Sequence, residues 1–206
     1  MHVYLLLDRS GSMETRWAEA LGSINAYVAD LAAGEAARVA LVTLAVFDEH
    51  VGLRFDVVRR SEPVSGWRRV SEADAVPRGA TPLFDAIGRL TALAAEDGPD
   101  RAVIVVMTDG YENASREITK AGAKVAFDRC RARGWQVVFL GADFDAMAQA
   151  AVVGTVAAQT LNVTAGHYRA AAADLAGATE AYAAQAAPIA FSPAARARAG
   201  APVTRR

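Results

Sequence analysis

Apolar and polar positions along this chain change rhythm repeatedly. An unbroken apolar run, Val3 to Leu7, reads as a short buried strand. From Glu14 to Ala33 the spacing turns helical, with Leu21, Ile24, Tyr27 and Leu31 along one face and Gly34 as its closing cap. Arg38 to Phe47 is a second long apolar stretch rich in Val, Leu and Thr, the composition of a strand covered on both faces. After a turn at Asp48-Glu49-His50, Val51 to Val58 alternates loosely, which predicts a hairpin to an edge strand. Arg59 to Ala80 holds Pro, Gly, Ser and Glu around Trp67, so it is expected to be a long irregular connection with Trp67 packed on the body.

Thr81-Pro82 then opens a helix whose stripe is Leu83, Ile87, Leu90 and Leu93, and Asp97-Gly98-Pro99 ends it. Ala102 to Met107 is a third apolar strand, finishing in Thr108-Asp109-Gly110. Tyr111 to Arg133 starts as a loop and becomes helical, and Gly134 closes it. Trp135 to Leu140 is a further buried strand, followed by a short helix from about Asp143 and an edge strand within Thr155 to Val163. Gly166 to Gln185 is helical, with Tyr168, Leu175 and Tyr182 on about one face. Strands alternating with helices, one hairpin excepted, predict an α/β fold: a mostly parallel sheet with helices on both faces. The body should span 1–165, a docking helix 166–187, and an Ala/Arg/Pro-rich tail 188–206 is expected to be disordered.

Composition narrows the functional classes. The 206 residues are 53% hydrophobic and 22% charged, ordinary for a globular domain, with a formal net charge of −1. Nothing in that balance calls for nucleic acid or an anionic membrane as partner. A single cysteine, Cys130, allows no internal disulfide and suits a reducing compartment. No apolar stretch approaches the roughly 20 residues that span a bilayer, and the apolar run at the N-terminus is too short for a leader. A cytoplasmic location is therefore expected.

The candidate chemistry lies where the first strand ends. Asp8, Ser10 and Ser12 place a carboxylate and two hydroxyls at alternate positions, with Gly11 easing the turn between the hydroxyls. Open α/β sheets bind their ligands at the carboxyl ends of strands. An oxygen-only set suits a hard divalent cation, Mg²⁺ above all, with Mn²⁺ or Ca²⁺ as alternatives. Thr81 has two competing roles from the residues alone, a helix cap or a ligand. Asp48 follows a strand parallel to the first and is a candidate for the same face, although the preferred reading is an ordinary turn residue. His2, His50 and His167 share no ligand spacing, and Cys130 reads as a packed thiol.

Asp8-x-Ser10-x-Ser12, Thr81 at the start of a later helix and Asp109 after a later strand together resemble the von Willebrand factor type A domain, specifically its small intracellular bacterial type. The resemblance runs from about Val3 to about Leu140. It implies a Rossmann-like three-layer fold with about six strands in the order 3-2-1-4-5-6, strand 3 being antiparallel. It also implies a metal-ion-dependent adhesion site in which Asp8, Ser10, Ser12, Thr81 and Asp109 hold Mg²⁺ directly or through water. An open coordination position then accepts an Asp or Glu side chain from a partner protein. Arg9, Arg78, Tyr111, Glu112 and Asn113 are candidates for the rim that such a partner touches. Some bacterial members work beside AAA+ ATPases or in stress-response systems, so such an association is a further expectation.

An enzyme is the competing reading: a Mg²⁺-dependent hydrolase or phosphotransferase with Asp8 as nucleophile. The haloacid dehalogenase pattern places a second Asp two residues on, where this chain has Ser10. No Gly-x-Ser-x-Gly elbow, Walker lysine motif or Gly-x-Gly-x-x-Gly fingerprint follows a strand. A non-catalytic binding module is therefore the expected function.

Overall fold

The computed structural model describes residues 1–142, 146–185 and 187–200. Six strands, β1 (His2–Asp8), β2 (Leu41–Glu49), β3 (Leu53–Pro63), β4 (Ala102–Thr108), β5 (Gln136–Ala142) and β6 (Thr160–Val163), form one sheet in the order β3-β2-β1-β4-β5-β6. Every neighbouring pair is parallel except β2 with β3. Among the described residues the α-helices are α1 (Trp17–Ala33), α2 (Leu83–Asp97), α3 (Lys120–Ala132), α4 (Ala146–Val152), α5 (Tyr168–Ala183) and α6 (Pro193–Arg198). The expected topology is the observed one.

Period-two alternation divides the core. Val3, Leu5 and Leu7 of β1 face a cluster with Ile24, Leu31, Leu175 and Tyr182, so α1 and α5 cover that side. Tyr4 and Leu6 face Leu83, Ile87, Leu90 and Phe127, so α2 and α3 cover the other. All seven residues of β1 and all seven of β4 are buried, which explains why they read as unbroken apolar runs. Chain order reverses between β1 and β4, and the loops leaving their carboxyl ends diverge to opposite faces. A crevice at such a switch point is where this architecture holds ligands.

Three expectations need correction. The edge strand runs to Pro63 rather than Val58, because most of its side chains are half-buried or exposed and leave no apolar pattern to read. The first helix is broken: Gly11–Arg16 is a tight 3-10 segment, and α1 begins only at Trp17, whose indole N–H donates to the Ala75 carbonyl. The tail is ordered from 188 to 200. Ile189 and Phe191 are buried in the cluster under α5, and the Ser192 hydroxyl caps α6 by accepting from Ala195 N–H. The Arg196 guanidinium donates to the carbonyls of Thr160 and Ala157, beside the outer strand β6. Two large apolar residues suffice to dock a segment whose average composition looks unstructured. Residues 201–206, and the predicted helix start at 143, lie outside the described residues.

Trp67 packs on the body as expected, its indole N–H donating to Asn25 Oδ1 at 3.0 Å. The Cys130 thiol is buried and burial pushes it up to about 11, so it is an inert packing group. His2 is 4% exposed, stacks on Tyr4 and shares a 2.9 Å hydrogen bond with Thr43; burial lowers it to about 4. A histidine held neutral by the fold contributes stability that is complete above its ordinary value near 6.5 and is lost as pH falls towards 4. Denaturant titrations across that window should show wild type losing more stability than His2→Phe, and parallel curves would refute the assignment.

Candidate functional site

The loop after β1 brings three of the predicted oxygens to the crevice. Asp8 is wholly buried at the end of its strand. Its Oδ1 accepts from Ser10 N–H at 2.7 Å and its Oδ2 from the Thr108 hydroxyl at 2.6 Å, so one carboxylate ties β1 to β4. The Ser10 and Ser12 hydroxyls lie 3.1 Å apart, and the Ser12 hydroxyl donates to Asp109 Oδ1 at 2.6 Å. Thr81 is 2% exposed; its Oγ1 and that of Ser12 lie 3.5 and 3.8 Å from the point where a side chain on Gly110 would begin. The five predicted residues therefore converge beside Gly110. Thr81 does not cap α2, which starts at Leu83 with no side-chain cap bond.

Burial pushes the Asp8 carboxyl up to about 6, against the hydrogen bonds from Thr108 and Ser10, and the nearby Asp109 charge adds to the rise. The Asp109 side chain is 2% exposed, with the Arg16 guanidinium 3.4 Å from its Oδ2. Two buried carboxylates with three hydroxyls make a hard, oxygen-only donor set. Burial destabilises the Asp8 carboxylate, so positive charge beside it would relieve a cost the fold already carries.

The predicted rim divides differently. Arg9 is 5% exposed, with Nε 2.7 Å from Asp48 Oδ1 and Nη2 2.5 Å from Asp56 Oδ2. Arg78 Nε lies 2.7 Å from Asp48 Oδ2. Glu112 accepts from the N–H groups of Phe84, Ala114 and Ser115 and from the Ser115 hydroxyl. Asn113 Oδ1 accepts from Thr81 N–H, and Thr81 O accepts from Asn113 N–H. All four brace the site from within the fold, and Arg78 and Asn113 also remain exposed at its edge. Tyr111 is 52% exposed.

Sequence reasoning missed Thr108 and Gly79, and weighed Asp48 for the same face but preferred a turn residue. Thr108 carried a readable signal: a hydroxyl beside Asp109 at the end of a strand next to β1. Asp48 lies within β2 and is fully buried, not a turn residue. Gly79 sits at φ +68°, and a Cβ there would fall 1.9 Å from the Glu49 carbonyl oxygen.

A parallel-dominated α/β sheet with oxygen-bearing side chains gathered at its switch point defines a Rossmann-like domain. Residues 2–176 match the von Willebrand factor type A domain, and the chain belongs to that family of protein-interaction modules, many of them metal-dependent. Solved structures share the fold at low identity. Proximal thread matrix protein 1 of the mussel byssus superposes with TM-score 0.62 at 17% identity, covering 85% of this chain and 47% of that one. The manganese-loaded TRAP protein of Plasmodium vivax gives TM-score 0.58 at 16% identity over 82% of this chain and 70% of its own. A von Willebrand factor type A protein of Catenulispora acidiphila gives 0.59 at 13% identity, over 88% and 42%. The chain thus spans under half the length of the byssus protein. No functionally curated protein matches it. Among the described residues no helix is long and apolar enough to cross a membrane.

Proposed function

We infer that this domain is a metal-dependent protein-interaction module rather than an enzyme. Ser10, Ser12 and Thr81 would hold a divalent cation, Mg²⁺ or Mn²⁺, through neutral hydroxyls, with Asp8 and Asp109 supplying the negative charge directly or through water. A cation bound mainly by neutral oxygens keeps part of its positive charge and attracts an acidic side chain from a partner. The observation that carries the reading is the convergence of Thr81, Ser12 and Asp109 from separate loops around Gly110. The TRAP protein of similar fold is manganese-loaded, which supports this choice of ion.

The chain's residues orient and exclude. Asp8 fixes the β1 loop by accepting from Ser10 N–H, and with both oxygens hydrogen-bonded and no exposed surface it is poorly placed as a nucleophile. Glu112 and Asn113 hold the loop after β4 against the start of α2 and so set Thr81 against Asp109. Association beside an AAA+ ATPase or in a stress-response system, and a cytoplasmic location, extend the same reading. Capture of partner from the native cell with immobilised protein should require Mg²⁺, fail with chelator and fail for Thr81→Ala. Capture indifferent to both would overturn it, and turnover of phosphate esters that Asp8→Asn abolishes would replace it with the hydrolase.

A further inference from the structure

The loop bearing Ser10 and Ser12 and the loop bearing Thr81 come from different parts of the chain, yet they meet through a small set of bonds. Arg78 N–H donates to the Arg9 carbonyl at 2.7 Å, and Gly11 N–H to the Gly79 carbonyl at 3.0 Å. Behind these, one carboxylate grips both loops. Asp48, at 0% exposure, accepts from Arg9 Nε through Oδ1 and from Arg78 Nε through Oδ2, each at 2.7 Å. Arg9 continues to Asp56 on β3, so two arginines and two aspartates close a charge-balanced chain from the sheet edge to the crevice.

We propose that Asp48, with Arg9 and Arg78, is a positioning clasp that sets the separation of Thr81 from Ser10 and Ser12, and thereby the affinity of the crevice for a divalent cation. The proposal rests on the metal-site reading above. A buried ion pair is a poor source of stability, because desolvating the charges offsets most of their attraction. Its directional bonds instead fix register, and here the register concerns two loops that each carry hydroxyls of the site. Arg9 and Arg78 stand beside the predicted ligands in sequence and anchor them through Asp48.

The test titrates Mn²⁺ by calorimetry into chelator-stripped full-length protein and records the melting temperature in chelator. The variants are Arg78→Gln, Asp48→Asn, their double, and Leu175→Ala, which removes core packing between α5 and the sheet without touching the clasp. Groups that orient ligands typically govern affinity by about 10–100-fold. Arg78→Gln, at a half-exposed side chain, should weaken Mn²⁺ binding by about that factor while the chelated melting temperature moves by less than about 4 °C. The double variant should bind no more weakly than the worse single, since both break one device. Leu175→Ala should melt lower yet bind like wild type. If Asp48→Asn does not fold, Arg78→Gln still decides. Wild type that binds while Arg78→Gln binds equally overturns the clasp alone. Wild type that takes up no Mn²⁺ overturns the clasp and the metal site together.

Discussion

Asp8→Asn should lose divalent-metal binding by at least about 100-fold while the metal-free protein holds its melting temperature or gains. The two halves of this result have one cause. Asp8 is fully buried and its carboxyl sits near 6, so at neutral pH the fold holds a carboxylate that it would rather protonate. The amide removes that charge without changing shape. Its oxygen still accepts from Ser10 N–H, and its NH₂ meets Thr108 Oγ1, whose proton has the Gly110 carbonyl as another acceptor. A carboxyl raised from 3.8 to about 6 contributes stability to the metal-free fold that grows as pH falls from 6 towards 4, by on the order of 2–3 kcal/mol. This contribution is opposite in sign to that of His2 and is read as the difference between wild type and Asp8→Asn. Metal uptake has the opposite dependence, since a bound cation requires the ionised form. Denaturant titration in chelator at pH 4.5 and 7.5, beside calorimetry with Mn²⁺, separates the two. Asp8→Asn that binds Mn²⁺ like wild type would remove Asp8 from the site.

What could be read from the sequence was whatever burial imposes on a strand. β1, β4 and β5 must be apolar nearly throughout, so Val3–Leu7, Ala102–Met107 and Trp135–Leu140 announced themselves, and the polar residues that end them marked the crevice edge. β3 has only one fully buried residue, Arg59, so its length left no trace. The docked tail failed for a related reason: Ile189 and Phe191 are two residues in an Ala- and Arg-rich segment, below what composition registers. The roles of Arg9, Arg78, Glu112 and Asn113 were invisible because they depend on partners 28 to 39 positions away, brought close only by the sheet order. Charge alone does not distinguish a brace from a contact group.

Gly79→Ala should cost on the order of 3 kcal/mol and weaken metal binding in whatever protein still folds. Gly79 stands at φ +68°, where an L side chain is strained, and the added Cβ would meet the Glu49 carbonyl oxygen at 1.9 Å. Neither group can yield freely. Glu49 N–H donates to the Ala80 carbonyl, and Gly79's own carbonyl accepts from Gly11 N–H. Relief therefore means moving the Thr81 loop off β2, which opens the gap between Thr81 and Ser12. Gly98→Ala supplies the comparison. It has a similar dihedral, φ +55°, but its nearest new neighbour is 3.9 Å away, so it carries the conformational cost of about 1 kcal/mol without the collision. Chemical denaturation should rank wild type above Gly98→Ala and Gly98→Ala well above Gly79→Ala, with Mn²⁺ affinity reduced only in the last. Equal losses for the two glycines would show that backbone strain alone acts at position 79, and that the close approach to Glu49 does not hold the crevice together.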